Sequence, residues 1–84
     1  MITIYTKPDC AFCVRAKNIL KSRGIAFEEQ KLGEDFTIEE FRTWFQGFKT
    51  FPAIMVDNRL LGGYDDLRAA IAENENFGKT LLNE

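Results

Sequence analysis

Apolar and polar positions change their period several times along the chain, and each change marks a predicted element. Residues 1–6 carry apolar or β-branched side chains on both faces, which predicts a strand covered from two sides. Lys7-Pro8-Asp9 interrupts it, because Pro8 fixes its own φ and biases Lys7 towards an extended backbone. From Cys10 the period becomes helical, with apolar residues at Phe12, Ala16, Ile19 and Leu20, and Gly24 supplies a left-handed end. Ile25 to Leu32 predicts a second, weaker strand with Phe27 as its firmest anchor, followed by a Gly33-Glu34-Asp35 loop. Thr37, with Glu40 three residues on, is a capping-box signature. The helix after it places Ile38, Phe41, Trp44, Phe45 and Phe48 near one face, an aromatic stripe expected in the core, and ends at Gly47.

Phe51-Pro52 opens another extended stretch. Ala53–Val56 and Leu60-Leu61 then flank Asp57-Asn58-Arg59, which predicts a hairpin. Gly62-Gly63 breaks the second strand before a helix from 65 to about 75 with Leu67, Ala70 and Ile71 as its stripe. Residues 77–84 fit a short helix or a docked tail equally well. The order βαβαββα implies an α/β fold. Its first two strands are parallel through a right-handed crossover, the hairpin adds two more, and helices cover both faces of a four-stranded mixed sheet.

Composition narrows the chemistry. With 84 residues the chain is expected to be a single domain, 1–84, and 45% apolar content with eight Phe allows a core without staples. The absence of histidine excludes Ser-His and Cys-His catalysis from its own side chains, and the sole serine, Ser22, lies among charged residues. A net charge of −2 leaves no basic footprint for nucleic acid. No apolar run approaches the ~20 residues a membrane span needs. The first residues read as a strand and not as a signal peptide, so a reducing, cytoplasmic setting is expected. There, two cysteines are catalytic or metal-binding more often than a structural bridge. A structural zinc wants four ligands, and two Cys without His do not supply them, so no metal is expected.

Cys10-Ala11-Phe12-Cys13 sits where a strand gives way to a helix. The first helical N–H groups lack intrahelical partners, and the macrodipole places about half a positive charge there. Both favour a thiolate on Cys10, and Lys7, Arg15 and Lys17 add positive potential, so its pKa should fall well below the free value of ~8.5. Cys13, one turn in on the side of Ala16 and Leu20, is expected to be buried. Lowering a thiol pKa raises the thiolate fraction but reduces nucleophilicity, with a Brønsted slope of ~0.5, so the two nearly cancel. The remaining gain is that Cys10 leaves easily from a mixed disulfide. Arg15, Lys17, Lys21 and Arg23, with no acid between Cys10 and Phe27, also make this helix a +4 face that would steer anions.

These residues resemble a glutaredoxin. Tyr5-Thr6-Lys7-Pro8-Asp9-Cys10-Ala11-Phe12-Cys13-Val14-Arg15-Ala16-Lys17 is similar to the family's active-site segment, Thr50-Phe51-Pro52 to its Thr-Val-Pro turn, and Gly62-Gly63-Tyr64-Asp65-Asp66-Leu67 to its Gly-Gly-x-x-Asp segment. The resemblance runs from residue 1 to about 75. It implies a thioredoxin fold, with glutathione as the electron source. Cys10 would be the attacking thiolate, Cys13 the resolving thiol and Pro52 a cis-proline facing them. The backbone of Phe51, beside Thr50, would pair with the cysteinyl part of glutathione, with Phe12, Gly63 and Tyr64 as further groove residues. The N–H groups of Asp65 and Asp66 would meet the γ-glutamyl carboxylate, and the Asp66 side chain the neighbouring ammonium. The glycyl carboxylate needs a cation: Lys7 first, with Arg42 and Lys49 as further candidates.

Two positions depart from the usual pattern. Ala11 stands where proline is usual and Phe12 where tyrosine is usual, which should loosen the first helical turn and shift the reduction potential. The resemblance implies a monomeric enzyme that reduces protein disulfides or glutathionylated proteins, with ribonucleotide reductase a candidate client. Two other readings stay open. Gln46-Gly47-Phe48-Lys49 is similar to glutaredoxin-like redoxins reduced by thioredoxin reductase, although those typically lack the Gly-Gly-Tyr-Asp-Asp segment. A glutathione-ligated [2Fe–2S] carrier, with Cys10 from each of two chains, is the other.

Overall fold

The order of elements among the described residues is β1 Ile2–Thr6, α1 Ala11–Ser22, β2 Phe27–Lys31, α2 Ile38–Trp44, β3 Ala53–Val56, β4 Arg59–Gly62 and α3 Tyr64–Glu73. The computed structural model describes residues 1–74 and 77, so the rest of the tail lies outside the described residues. The sheet runs β2-β1-β3-β4, with β1 parallel to β2 and antiparallel to β3, and β3 antiparallel to β4. This is the predicted α/β topology.

Side chains of a strand point alternately to its two faces, and the core divides accordingly. Ile2, Ile4 and Ile54 pack with Ala16 and Leu20 of α1 and Leu67 and Ile71 of α3 on one face. Tyr5, Ala53 and Met55 point the other way and meet Phe36, Phe41 and Phe45 around α2. Helices therefore cover both faces, and β1, in the middle, is buried from both. The edge strand β2 is guarded against further pairing by its charged residues Glu28, Glu29 and Lys31.

Local signals place the helix ends. Gly24 takes the left-handed conformation, φ +69°, just past α1. Thr37 accepts from the Glu40 N–H at 3.1 Å while the Glu40 carboxylate accepts from the Thr37 N–H at 2.9 Å, the reciprocal capping box. In a helix of seven residues that cap carries much of the local stability. Thr37→Ala is expected to cost about 1 kcal/mol, read as a lower urea midpoint at unchanged slope.

Four expectations need correction. The second strand is shorter than expected, Phe27–Lys31; Ile25, just before it, is the buried anchor, and Phe27 is only partly covered because β2 lies at the sheet edge. Trp44 leaves the aromatic core and is 50% exposed, since α2 ends there and its ring lies over Tyr5 and Phe36 from outside. Arg59 belongs to β4, so the hairpin turn narrows to Asp57-Asn58, with Asp57 at φ +56°. The last helix begins at Tyr64, one residue early, because Gly63 is its N-cap.

Candidate active site

Cys10 is the N-cap of α1. Its backbone is still extended, φ −119° and ψ 101°, and its Sγ accepts a hydrogen bond from the Cys13 N–H at 3.1 Å. The sulfur therefore occupies the place of a capping oxygen and takes one of the orphan donors of the first turn. Cys13 is 2% exposed and joined to Cys10 in a disulfide. As expected, the outer cysteine is the accessible one and the inner one faces the core.

Three further segments converge on this pair. The Phe51–Pro52 peptide is cis, as the resemblance implied, and the Phe51 carbonyl oxygen lies 3.8 Å from Cys10 Sγ. Pro52 is fully buried. Phe12, Phe48, Thr50, Phe51, Gly63, Tyr64, Asp65 and Asp66 line a groove of about 330 Å³ beside the disulfide. The Phe12 and Tyr64 rings, 5.5 Å apart, form part of its wall. Of the site residues named from the sequence, Phe12, Thr50, Phe51, Gly63, Tyr64, Asp65 and Asp66 thus line one groove.

The charged residues named from the sequence are distributed unevenly around this groove. The N-cap of α3, Gly63, has no side chain to cap the helix, so the N–H groups of its first turn are not taken by a capping side chain. Asp66 turns its carboxylate back to accept from the Gly63 N–H at 3.0 Å. Gly62 makes that possible: at φ +134°, a Cβ there would collide with the Asp66 carboxylate. Lys7 is not in the lining of this groove: it borders the cavity on the Cys13 side of Cys10, and its Nζ lies 5.8 Å from the centre of the Phe51 ring, which the groove shares. Arg42 and Lys49 are not in this groove. They line a neighbouring one of about 370 Å³ with Ile38, Phe41, Phe45 and Gly47, and only Phe48 is shared.

The +4 face of α1 also changes. Lys17 Nζ is paired with Glu29 Oε2 at 3.1 Å, so one of that face's four charges is compensated from β2. Arg15 is held over the exposed Phe12 ring, 5.1 Å from its centre. Sequence reasoning missed Glu29 and the buried Thr6 beside it. The signal was available only through register, which pairs residues of β1 with those of β2. Among the described residues no three His, Cys, Asp or Glu side chains gather as a metal set.

A redox-active cysteine pair at the start of the first helix, faced by a cis-proline on a four-stranded mixed sheet, defines a thiol–disulfide oxidoreductase of the thioredoxin fold. The comparisons carry this further, for the glutaredoxin family model matches residues 2–61 and the chain belongs to that family. Glutaredoxin 3 of Escherichia coli is 38% identical over 68 residues, covering 81% of this chain and 82% of its own. A hybrid peroxiredoxin, hyPrx5 of Haemophilus influenzae, is 42% identical over 71 residues, 84% of this chain but only 29% of that longer protein. The solution structure of reduced E. coli glutaredoxin superposes with a TM-score of 0.74 at 27% identity, covering 89% of this chain and 96% of the other.

Proposed function

We propose that the chain is a glutathione-dependent dithiol oxidoreductase, acting in a reducing, cytoplasmic setting as a monomer. The observation that carries the reading is the groove beside Cys10, with the uncapped first turn of α3 in its wall and Lys7 outside it, near the Phe51 ring that the groove shares. Glutathione has two carboxylates and one ammonium, and this order of charges complements it. The α3 N–H groups would take the γ-glutamyl carboxylate, and the free side of the Asp66 carboxylate the ammonium. The backbone of Phe51 would take the cysteinyl unit, and Lys7 the glycyl carboxylate. Arg42 and Lys49 are left out of this assignment, because they face the other groove.

In the reaction the Cys10 thiolate attacks a disulfide sulfur of the client. A bond forms to Cys10 Sγ, the client S–S bond breaks, and the electron pair leaves on the released client thiol. Cys13 then attacks Cys10 Sγ, frees the second client thiol and closes the disulfide present here. Two glutathione molecules reopen it, each giving one electron, and leave as their own disulfide. Clients of this chemistry are protein disulfides or glutathionylated proteins. Ribonucleotide reductase is the client the family resemblance suggests, and the match within a hybrid peroxiredoxin adds a peroxiredoxin to the candidates.

Lys7→Gln tests the groove. It removes a charged contact to substrate made equally before and during reaction, so the loss falls on KM. A hydrogen bond to a charged group contributes ~1.5–3 kcal/mol, so KM for glutathione should rise roughly ten- to hundredfold with kcat little changed. An unaltered KM would remove Lys7 from the site.

A further inference from the structure

Thr6 is the one buried polar side chain among the described residues, and its hydroxyl donates to Glu29 Oε2 at 2.7 Å. The same carboxylate accepts from Lys17 Nζ on both oxygens, at 3.1 and 3.3 Å. The Lys17 and Glu29 side chains are largely withdrawn from solvent, 25% and 21% exposed. All three residues line a cavity of about 500 Å³ that Cys10 and Cys13 also line. Lys17 follows Cys13 by four positions on α1, which makes them neighbours on one helix face. The other charged groups bordering the cavity are Lys7 and Asp9, on the loop before α1, and Lys31 of β2 adds its charge from the Glu29 side.

Burial alone would push the Glu29 carboxyl up. The hydrogen bonds from Thr6 and Lys17, with the positive charges of Lys17 and Lys31, outweigh it and hold the group below its ordinary value. It is therefore a carboxylate at neutral pH. An unpaired ammonium beside Cys13 would favour its thiolate, and an unpaired carboxylate would oppose it. We propose that Glu29, oriented by Thr6, is a positioning residue that holds Lys17 in this cavity and neutralises it there, so that Cys13 stays a thiol while Cys10 carries the thiolate.

The consequence is kinetic. When Cys10 is joined to an outside thiol, Cys13 closes the ring by forming a bond to Cys10 Sγ as the outer S–S bond breaks. The electron pair leaves on the outside sulfur, and the Cys13 proton passes to solvent. Only the thiolate fraction of Cys13 does this. Holding that fraction low prolongs the mixed disulfide, which gives a second thiol time to reduce it directly. The inference rests on the cysteine-pair chemistry and holds whether glutathione or another thiol supplies the electrons.

The test is an NMR titration of the reduced full chain, labelled at the cysteine Cβ carbons, for the parent, Glu29→Gln, Lys17→Met and the double variant. Glu29→Gln leaves Lys17 uncompensated and should lower the Cys13 pKa by about one unit. Ring closure should then speed up about threefold, as ~tenfold more thiolate is offset by ~threefold less nucleophilicity. Lys17→Met should raise the Cys13 pKa, and the double variant should return close to the parent. Shifts of the same sign in both single variants, or none in either, would overturn the proposal, since lost packing gives no opposite signs. Should Glu29→Gln fail to fold, the Lys17→Met shift decides alone: upward supports the proposal, and anything else overturns it. An enzyme that ignores glutathione leaves these titrations unchanged, so the two readings fail separately.

Discussion

Cys10→Ser is expected to bring turnover to background with every substrate, whereas Cys13→Ser should divide the activities. Cys10 is the accessible sulfur that caps α1, and Cys13, 2% exposed, does not reach a bulky client. A serine at position 10 keeps the cap but has no thiolate at neutral pH. Cys13→Ser leaves the attack intact and removes only the resolving step. Release of glutathione from a glutathionylated protein should therefore continue, because a second glutathione resolves the mixed disulfide, while reduction of a protein disulfide through the dithiol route should be lost. Parallel assays on the two substrate types check this. Loss of both activities in Cys13→Ser would contradict the roles given to the two cysteines.

The second large effect is expected away from the sulfur. Phe41, 1% exposed, stacks on Phe51 with ring centroids 4.5 Å apart and meets the edge of Phe45 at 5.0 Å. Phe41→Ala should cost about 3–5 kcal/mol through lost burial and the cavity left behind. That is a large part of the ~5–15 kcal/mol that holds a domain together. Because Phe51 precedes the buried Pro52 and lines the groove, the loss reaches the site through one stacked pair. Trp44→Ala, on the same helix but half-exposed, should cost a small fraction of this. Urea unfolding of the two variants checks the contrast, and similar midpoints would place Trp44 in the core after all.

How far the residues alone disclosed this molecule depended on whether a signal was local. The element order followed from period changes and breakers, and the Thr37–Glu40 cap from spacing, since those interactions lie within four residues. The cysteine pair was readable for the same reason: its helix start is encoded by Pro8 and the apolar positions after Cys10. Long-range placement was harder. Glu29 lies in a strand whose residues, Phe-Glu-Glu-Gln-Lys, look like a solvated edge, and only packing against α1 and Thr6 gives that carboxylate its partners. Arg42 and Lys49 carry the right charge for a carboxylate, but the chain places both in the neighbouring groove, which shares only Phe48 with this one. Trp44 fitted the helical stripe, and its exposure follows from where α2 stops. The cis form of Pro52 came from family resemblance, as nothing in a Phe-Pro dipeptide distinguishes it.

The most direct test of the central claim is a coupled assay that follows NADPH consumption with a glutathionylated substrate. It is run once with glutathione and its reductase, and once with thioredoxin reductase alone. Turnover only with glutathione is the predicted result, and it would give the groove between Phe51 and Asp66 its ligand. Turnover only with thioredoxin reductase would contradict the account, leaving the fold and both cysteines in place but taking the glutathione role from Lys7, Thr50, Asp65 and Asp66.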